Sequence, residues 1–366
     1  MTQVRPFTAN DIPRVADLFL KVFGKGARCP LTRDEVARSL SDVFLNHPWR
    51  HEPLTSWVCE ATRGGVAGFL GVTPRRMRFK GRSILVAVSA HLMVDPDERT
   101  SLAGVQLQQA LFAGPQDLAI TDGATDQGLA IWTGLGGAVA ALPSMSWLRP
   151  LRPAALAAAA VRSKYPVLAP CTAAARLCAP LIDGALARRG PHRFRCERPA
   201  TDGAALGADA LLAGIAERPE DDIDLTPEYD SRAIRWLLAR ADHLVAPGAL
   251  QKAVVRNSQG KMLGWYLYHL NLAGVSDVLQ VVSTRRGMGE VFDHLCHDAW
   301  SRGALGLTGR VDAWMLETVG FKDCILSCGN PWVLVHARDA DLLECVCQGR
   351  AWFTRLEGEW CTSVRT

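Results

Sequence analysis

The chain is predicted to be α/β, with mixed sheets in two domains joined by an Ala-rich helical linker. Three observations predict this. At 366 residues it exceeds the roughly 250 at which a single core usually divides. Strand-period and helix-period segments alternate along both halves, which reads as a mixed sheet with an α/β crossover. Two stretches also look alike between the halves: LAITDGATDQGLAIWTGLGG beside LGLTGRVDAWMLETVGF, and GGVAGFLGV beside GKMLGWYLY. This reads as a divergent internal duplication. The resulting divisions are 1–150, a linker at 151–220, and 221–366.

The elements follow in order. Strand VRPF leads to Thr8, an N-cap candidate, and the helix DIPRVADLFLKVF, whose Ile12, Val15, Ala16, Leu18, Phe19 and Phe23 share an apolar face. A second helix, LTRDEVARSLSDVFL, starts near Thr32. Strands are expected at SWVCEA, GVAGFLGVTPRRMRF and SILVAVSAHLMV, then helix SLAGVQLQQALFAG, strand DLAITDGA, helix DQGLAIWTGLGG and a last strand near AVAALPSMSWLRPL. After Thr226 the order recurs. Helix SRAIRWLLARA precedes strands LQKAVVRN, KMLGWYLYHL and SDVLQVVS, the turn TRRGMG, helix GEVFDHLCHDAW, strand ALGLTGR, helix VDAWMLETVGF and strand PWVLVHAR.

Between the halves, LRPAALAAAAVRSKYPVLAPCTAAARLCAPLIDGALA is broken into short helical pieces by Pro153, Pro166, Pro170 and Pro180. It reads first as helices packed between two domains. Its basic continuation, Arg188, Arg189, Arg193 and Arg195, also suits a surface that touches lipid.

Composition narrows the function classes. A formal charge of +4, spread apart from the basic cluster between Arg188 and Arg198, does not argue for nucleic-acid binding. Eleven cysteines, an odd number, fit reduced thiols in a cytosolic protein better than a disulfide framework. The opening MTQVRPFTANDIPRVADLF is too acidic for a signal or transit peptide. Apolar runs are interrupted too often by charge or proline for a membrane span.

The stretch VDPDERTSLAGVQLQQALF passes from an apolar strand through a hydroxyl-rich turn into a helix with Gly104 in its first turn. Backbone N–H groups at such a helix start can cradle an anionic ligand. An ordinary helix start reads the same way.

With these residues in view, the sequence resembles the GNAT superfamily of acyl-CoA N-acyltransferases, arranged in tandem with a degenerate second copy. The resemblance covers residues 3–150 and, less closely, 226–335. It rests on VRPFTANDIPRVADLF, SAHLMVDPDERTSLAGVQLQQALF and ITDGATDQGLAIWTGLGG. The run GRAWFTRLEGEW is also similar to tandem members found in bacterial surface-polysaccharide gene neighbourhoods.

The resemblance implies a bulged fourth strand that splays from the fifth, leaving a gap for the pantetheine of acetyl-CoA or a longer acyl-CoA. It implies a pyrophosphate loop of pattern Q/R-x-x-G-x-G/A. Arg99 takes the basic position, Leu102 that of the first glycine and Gly104 that of the last; Thr284, Gly287 and Gly289 match in the second copy. The donor-binding set so implied is Leu92, Met93, Val94, Arg99, Thr100, Ser101, Leu102, Ala103, Gly104 and Trp132. Trp132 stands at the family's tyrosine acid, Leu316 at its counterpart, and an indole is no practical proton donor near neutral pH. The partner implied is a small-molecule amine acceptor, such as an amino sugar or amino acid, with acyl carrier protein as an alternative donor.

N-acyl transfer needs a base. His91 is the first choice by its ordinary pKa; strand alternation would set Ser89, His91 and Met93 on one face and Ala90, Leu92 and Val94 on the other. A histidine satisfied within the sheet is the plainer reading. Asp122 and Asp126 lie where strand five and its helix open towards substrate, though Asp126 also suits an N-cap. Glu60 is a remoter base. His294 and His297 share a helix face without a third ligand, and the CILSC and CVC spacings are poor for zinc. Trp147, with Arg149 and Arg152, suits either the acceptor side or packing at a domain edge.

Overall fold

Hydroxyl–acid pairs start the first helices. Thr8 donates from its backbone N and its hydroxyl to Asp11 (2.9 and 2.8 Å), and Arg5 grips the same carboxylate with two nitrogens at 2.8 and 2.7 Å. The Arg5 guanidinium is the main reason that Asp11 is held down at about 2. Thr32 and Glu35 form a capping box at the second helix. The computed structural model describes residues 3–362, apart from 25–31, 51–52, 62–63, 99–101, 166, 168, 190–193, 218–222, 244–247 and 285.

In chain order the elements are β1 (Gln3–Pro6), α1 (Ile12–Phe23), α2 (Arg33–Phe44), β2 (Trp57–Glu60), β3 (Val66–Phe79), β4 (Arg82–Val94), α3 (Ala103–Phe112), β5 (Leu118–Ala124), α4 (Asp126–Gly134), β6 (Ala138–Val139) and β7 (Met145–Pro150). There follow α5 (Pro153–Lys164), α6 (Ala169–Arg189), β8 (Asp202–Ala205), α7 (Ala208–Glu217), β9 (Leu225–Pro227) and α8 (Ser231–His243). The rest are β10 (Ala249–Arg256), β11 (Met262–Leu270), β12 (Val275–Ser283), α9 (Met288–Ser301), β13 (Gly306–Arg310), α10 (Leu316–Phe321), β14 (Ile325–Cys328), β15 (Trp332–Ala337) and α11 (Ala340–Cys347). A 3-10 turn, Glu359–Thr362, ends the described chain.

The fold is mixed α/β, as expected, but the divisions at 150 and 220 are corrected. One unit comprises Met1–Ser144, Glu220–Ala246 and Gly329–Thr366; the other comprises Met145–Pro219 and Pro247–Cys328. The Ala-rich segment groups with the second unit. The expected last strand of the first half also splits, with β6 in one sheet and β7 in the other.

The first sheet runs β1-β2-β3-β4-β5-β15-β6 with β9 against β3, and the second runs β14-β7-β13-β12-β11-β10-β8. Each has one parallel pair, β4–β5 or β12–β13. In each, the strand beyond the pair comes from the other half of the sequence: β15 lies between β5 and β6, β7 between β13 and β14. Pleat alternation is local and carries no information about which sheet a strand will join.

In the first unit α1 and α2 cover one face, where Val15, Phe19, Leu40 and Phe44 meet Phe69 and Met93. On the other side Ala103, Leu107 and Leu111 of α3 pack with Leu85, Ala87 and Ala119. Val86, Val88, Leu118 and Ile120 form a further cluster with Leu342 and Val346 of α11. In the second unit α9 buries Val291, Phe292 and Leu295, and Trp147 meets Phe292 edge-on at 5.2 Å.

Candidate acyl-donor gap

Strands β4 and β5 pair over Val86–Leu118, Ala87–Ala119 and Val88–Ile120. Both continue, β4 to Val94 and β5 to Ala124, so a gap opens between them. A bulge in β4 begins the divergence. Phe69 faces Met93 and Gly71 faces Ala90, which leaves His91 and Leu92 opposite the single residue Leu70. His91 takes a left-handed φ of 52°, a strained choice for a residue with a Cβ.

Past the bulge the expected alternation holds, with His91 and Met93 on one face and Leu92 and Val94 on the other; before it the phase is opposite. Leu85 and Ala87 point to the α3 side, but Leu92 and Val94 join them there, while Met93 lies with α1 and α2. One inserted residue has exchanged the faces. The His91 ring lies among Phe19, Phe44 and Phe23, with centroids at 5.5, 6.1 and 6.2 Å. Burial pushes its pKa down, and Nε2 donates to the carbonyl of Thr362 at 2.9 Å. That partner fixes the proton on Nε2 and leaves Nδ1 as an acceptor.

On the opposite lip, buried Asp122 accepts the backbone N–H of Glu359 at 2.7 Å. The Thr121 hydroxyl reaches Glu359 Oε1 at 3.4 Å, and a Cβ on Gly123 would lie 2.0 Å from that same oxygen. The C-terminal turn is therefore tied to both lips, with the Glu359 carboxylate beside the opened part of β5. Arg240 donates to the Cys361 carbonyl at 2.9 Å, and Arg75 Nη2 donates to Cys361 Sγ at 3.1 Å. Beneath them Tyr229 donates to Glu357 at 2.6 Å; burial raises the pKa of both groups.

The cradle stands at the start of α3. Arg99, Thr100 and Ser101 lie outside the described residues. Leu102 occupies the N-cap position and is 66% exposed, so its side chain does not plug the helix start. Ala103 and Gly104 are buried; a Cβ on Gly104 would come within 3.3 Å of Val94 and 3.7 Å of Ile131, so its smallness lets α3 sit close against β4 and α4. The first amides of the helix remain oriented out of its end.

Asp126 is placed differently. It accepts Trp332 Nε1 at 2.8 Å, while Thr125 caps α4 by accepting Gly128 N at 3.3 Å, which corrects the N-cap reading of Asp126. Trp132 is 2% exposed and meets Phe112 edge-on at 5.0 Å. Glu60 is paired with Arg5 at 2.6 Å. The structure thus brings His91 and Asp122 together through one turn and sets Asp126 apart. Sequence reasoning missed Glu359, Tyr229, Arg75 and Arg240; the run GRAWFTRLEGEW carries Glu359, but nothing local placed it beside β4.

In the second unit β12 and β13 pair over Val275–Gly306 to Asp277–Thr308 and then part. There Trp314 Nε1 donates to the Val281 carbonyl at 3.4 Å. Gly287 caps α9, and its N–H donates to the Thr284 hydroxyl at 3.3 Å; Arg285 lies outside the described residues. His294 is engaged by the Tyr266 hydroxyl at 3.1 Å, Trp147 donates to the Arg310 carbonyl at 3.0 Å, and Leu316 is half exposed. Cys324 and Cys328 fall in this unit, Cys345 and Cys347 in the other.

A sheet parted beyond one parallel pair, with a bulged strand, is the arrangement that the resemblance to the GNAT superfamily implies. Solved structures agree. A probable N-acyltransferase from Enterococcus faecalis V583, described as a conserved protein of unknown function, matches with TM-score 0.57 at 10% identity over 92% of this chain and 73% of its own. GCN5-related N-acetyltransferases from Anabaena variabilis and Kribbella flavida match with TM-scores 0.56 and 0.54 at 11% and 13% identity. Each match covers 93% of this chain, with 73% and 72% of the other. At such identities the likeness is one of fold. No family model and no curated protein matches the sequence.

Proposed function

We propose that the first unit binds an acyl thioester, acetyl-CoA or a longer acyl-CoA, and transfers the acyl group to the amine of a small molecule. The observation that carries this reading is the parting of β4 and β5 after Val88 and Ile120, with the start of α3 packed against the end of β4. The donor's diphosphate suits helix-start amides, and the Leu102 side chain at the N-cap is directed to solvent. When bound, the donor supplies an activated carbonyl: the amine forms the C–N bond, the C–S bond breaks, and the amine's proton leaves to a base.

Among the described residues we assign that base to Glu359, whose carboxylate lies against Gly123. His91 and Asp122 hold the turn that presents it, and are positioning residues in this reading. Trp132 is enclosed in the core, so the departing thiolate takes its proton from solvent. The second unit is read as a degenerate copy of a tandem. The resemblance of the C-terminal run supports an amino sugar or amino acid acceptor in surface-polysaccharide metabolism, and acyl carrier protein is an alternative donor. Eleven cysteines support a reducing, cytoplasmic setting.

Calorimetry with acetyl-CoA on wild type and Leu102→Asp tests the reading. Asp at the N-cap favours the helix but competes for its amides and repels a diphosphate. Saturable wild-type binding, weakened at least about tenfold in Leu102→Asp, is expected; no saturable binding, or equal binding by both, ends it.

A second reading is a non-catalytic protein that keeps the fold to bind acyl-CoA or a partner. The occupation of both lips by the C-terminal turn favours it. Thiol release with a panel of amines separates the two, since a sensor binds donor without turnover and Glu359→Gln leaves its binding unchanged.

A further inference from the structure

The helical hairpin of the second unit has an inner side and an outer side of opposite character. Asp183 faces inward, where its two carboxylate oxygens accept Ala154 N at 2.8 Å and Ala155 N at 3.1 Å, capping α5 from α6. Ala179, one turn earlier, is also buried. Leu177 and Leu181 lie on the outside, 81% and 77% exposed, with Ile182 beside them. Val161 and Tyr165, also one turn apart, are exposed at the end of α5, and Val167 follows at 84%.

Charge is equally one-sided. Residues 153–189 contain five basic residues and one acid, and that acid is the buried Asp183. The outer surface therefore carries no carboxylate. Arg188 and Arg189 stand seven residues after Leu181 and Ile182, so they continue the same helical stripe at the end of α6. Arg162 and Lys164 end α5. Large aliphatic side chains on an otherwise alanine-smooth surface, ended by cations and free of acids, match the boundary of an anionic bilayer, where aliphatics enter the acyl region and arginines reach back to phosphate. No helix among the described residues is long and apolar enough to cross a membrane, and α6 contains Pro180.

We propose that the outer face of the α5–α6 hairpin is a docking surface for anionic phospholipid membranes, on which the helices lie flat. This proposal is independent of the transferase reading.

Flotation of the full-length protein with vesicles tests it, using phosphatidylcholine mixed with phosphatidylglycerol and phosphatidylcholine alone. Wild type is expected to float with the mixed vesicles and to detach as salt rises. Leu177→Asp/Leu181→Asp and Arg188→Gln/Arg189→Gln are each expected to weaken binding by at least about tenfold. All four positions are exposed, so circular dichroism and melting should match wild type. Failure of wild type to float, equal flotation with both vesicle types, or indifference to both double substitutions overturns the proposal. So does wild-type self-association abolished by Leu177→Asp/Leu181→Asp without vesicle binding, which would assign the face to a second copy of the chain.

Discussion

The imidazole of His91 donates its Nε2–H to the carbonyl of Thr362, 2.9 Å away across 271 positions of sequence. One bond ties the strained residue of β4 to the last described residue of the chain. The bulge that opens the gap and the turn that closes over it are thus parts of one structure.

Replacing His91 should loosen both. His91→Ala loses the donor yet keeps a Cβ at φ 52°, and is expected to cost about 2 kcal/mol in urea unfolding. Amide exchange at Cys361 and Thr362 should quicken. His91→Asn should recover part of the loss, because asparagine accepts the left-handed region and can donate.

Gly358 is predicted to be intolerant of a side chain. A Cβ there would sit 2.0 Å from Asp122 Oδ2, so the carboxylate must swing away from Glu359 N. Gly358→Ala should cost about 1–3 kcal/mol, and most of that cost should vanish in an Asp122→Ala background. A double-mutant cycle measures this coupling.

Trp132 separates a packing role from a chemical one. Buried in the cluster with Leu107 and Leu334, it should cost about 3–5 kcal/mol as Trp132→Ala and much less as Trp132→Phe. Trp132→Phe should leave the pH–rate profile in place; a shifted profile would return this residue to the chemistry.

Stability should fall in mild acid. Burial, with Arg75 and Arg50 adding repulsion, pushes His47 down to about 3, and burial lowers His91 as well. The unfolded chain takes these protons near pH 6.5 while the folded chain refuses them. Their contribution is therefore complete above that pH and is lost as pH falls towards the folded values, by at most about 1.4 kcal/mol per unit for each group. Among the described residues His47 Nδ1 is buried without a hydrogen bond, so His47→Phe should be tolerated at pH 7. It should also flatten the decline in urea midpoints between pH 6 and 4.

The sequence by itself determined many of the elements and the starts of the first helices. Thr8 and Thr32 with their acids, the apolar stripe of α1 and the strand–turn–helix around Gly104 are local patterns, set by side-chain spacing within one or two turns of chain.

Tertiary structure decided what those elements do together. The face of His91 depends on a bulge whose strain is held by aromatic rings and a carbonyl from distant segments, and the exchange of faces between Ala87 and Leu92 is not written in the pattern of β4. Sheet membership of β7 and β15, and the seating of Glu359 beside Gly123, depend on which partner offers hydrogen bonds and burial after collapse. Such pairings join residues hundreds of positions apart, and no periodicity within a segment encodes them.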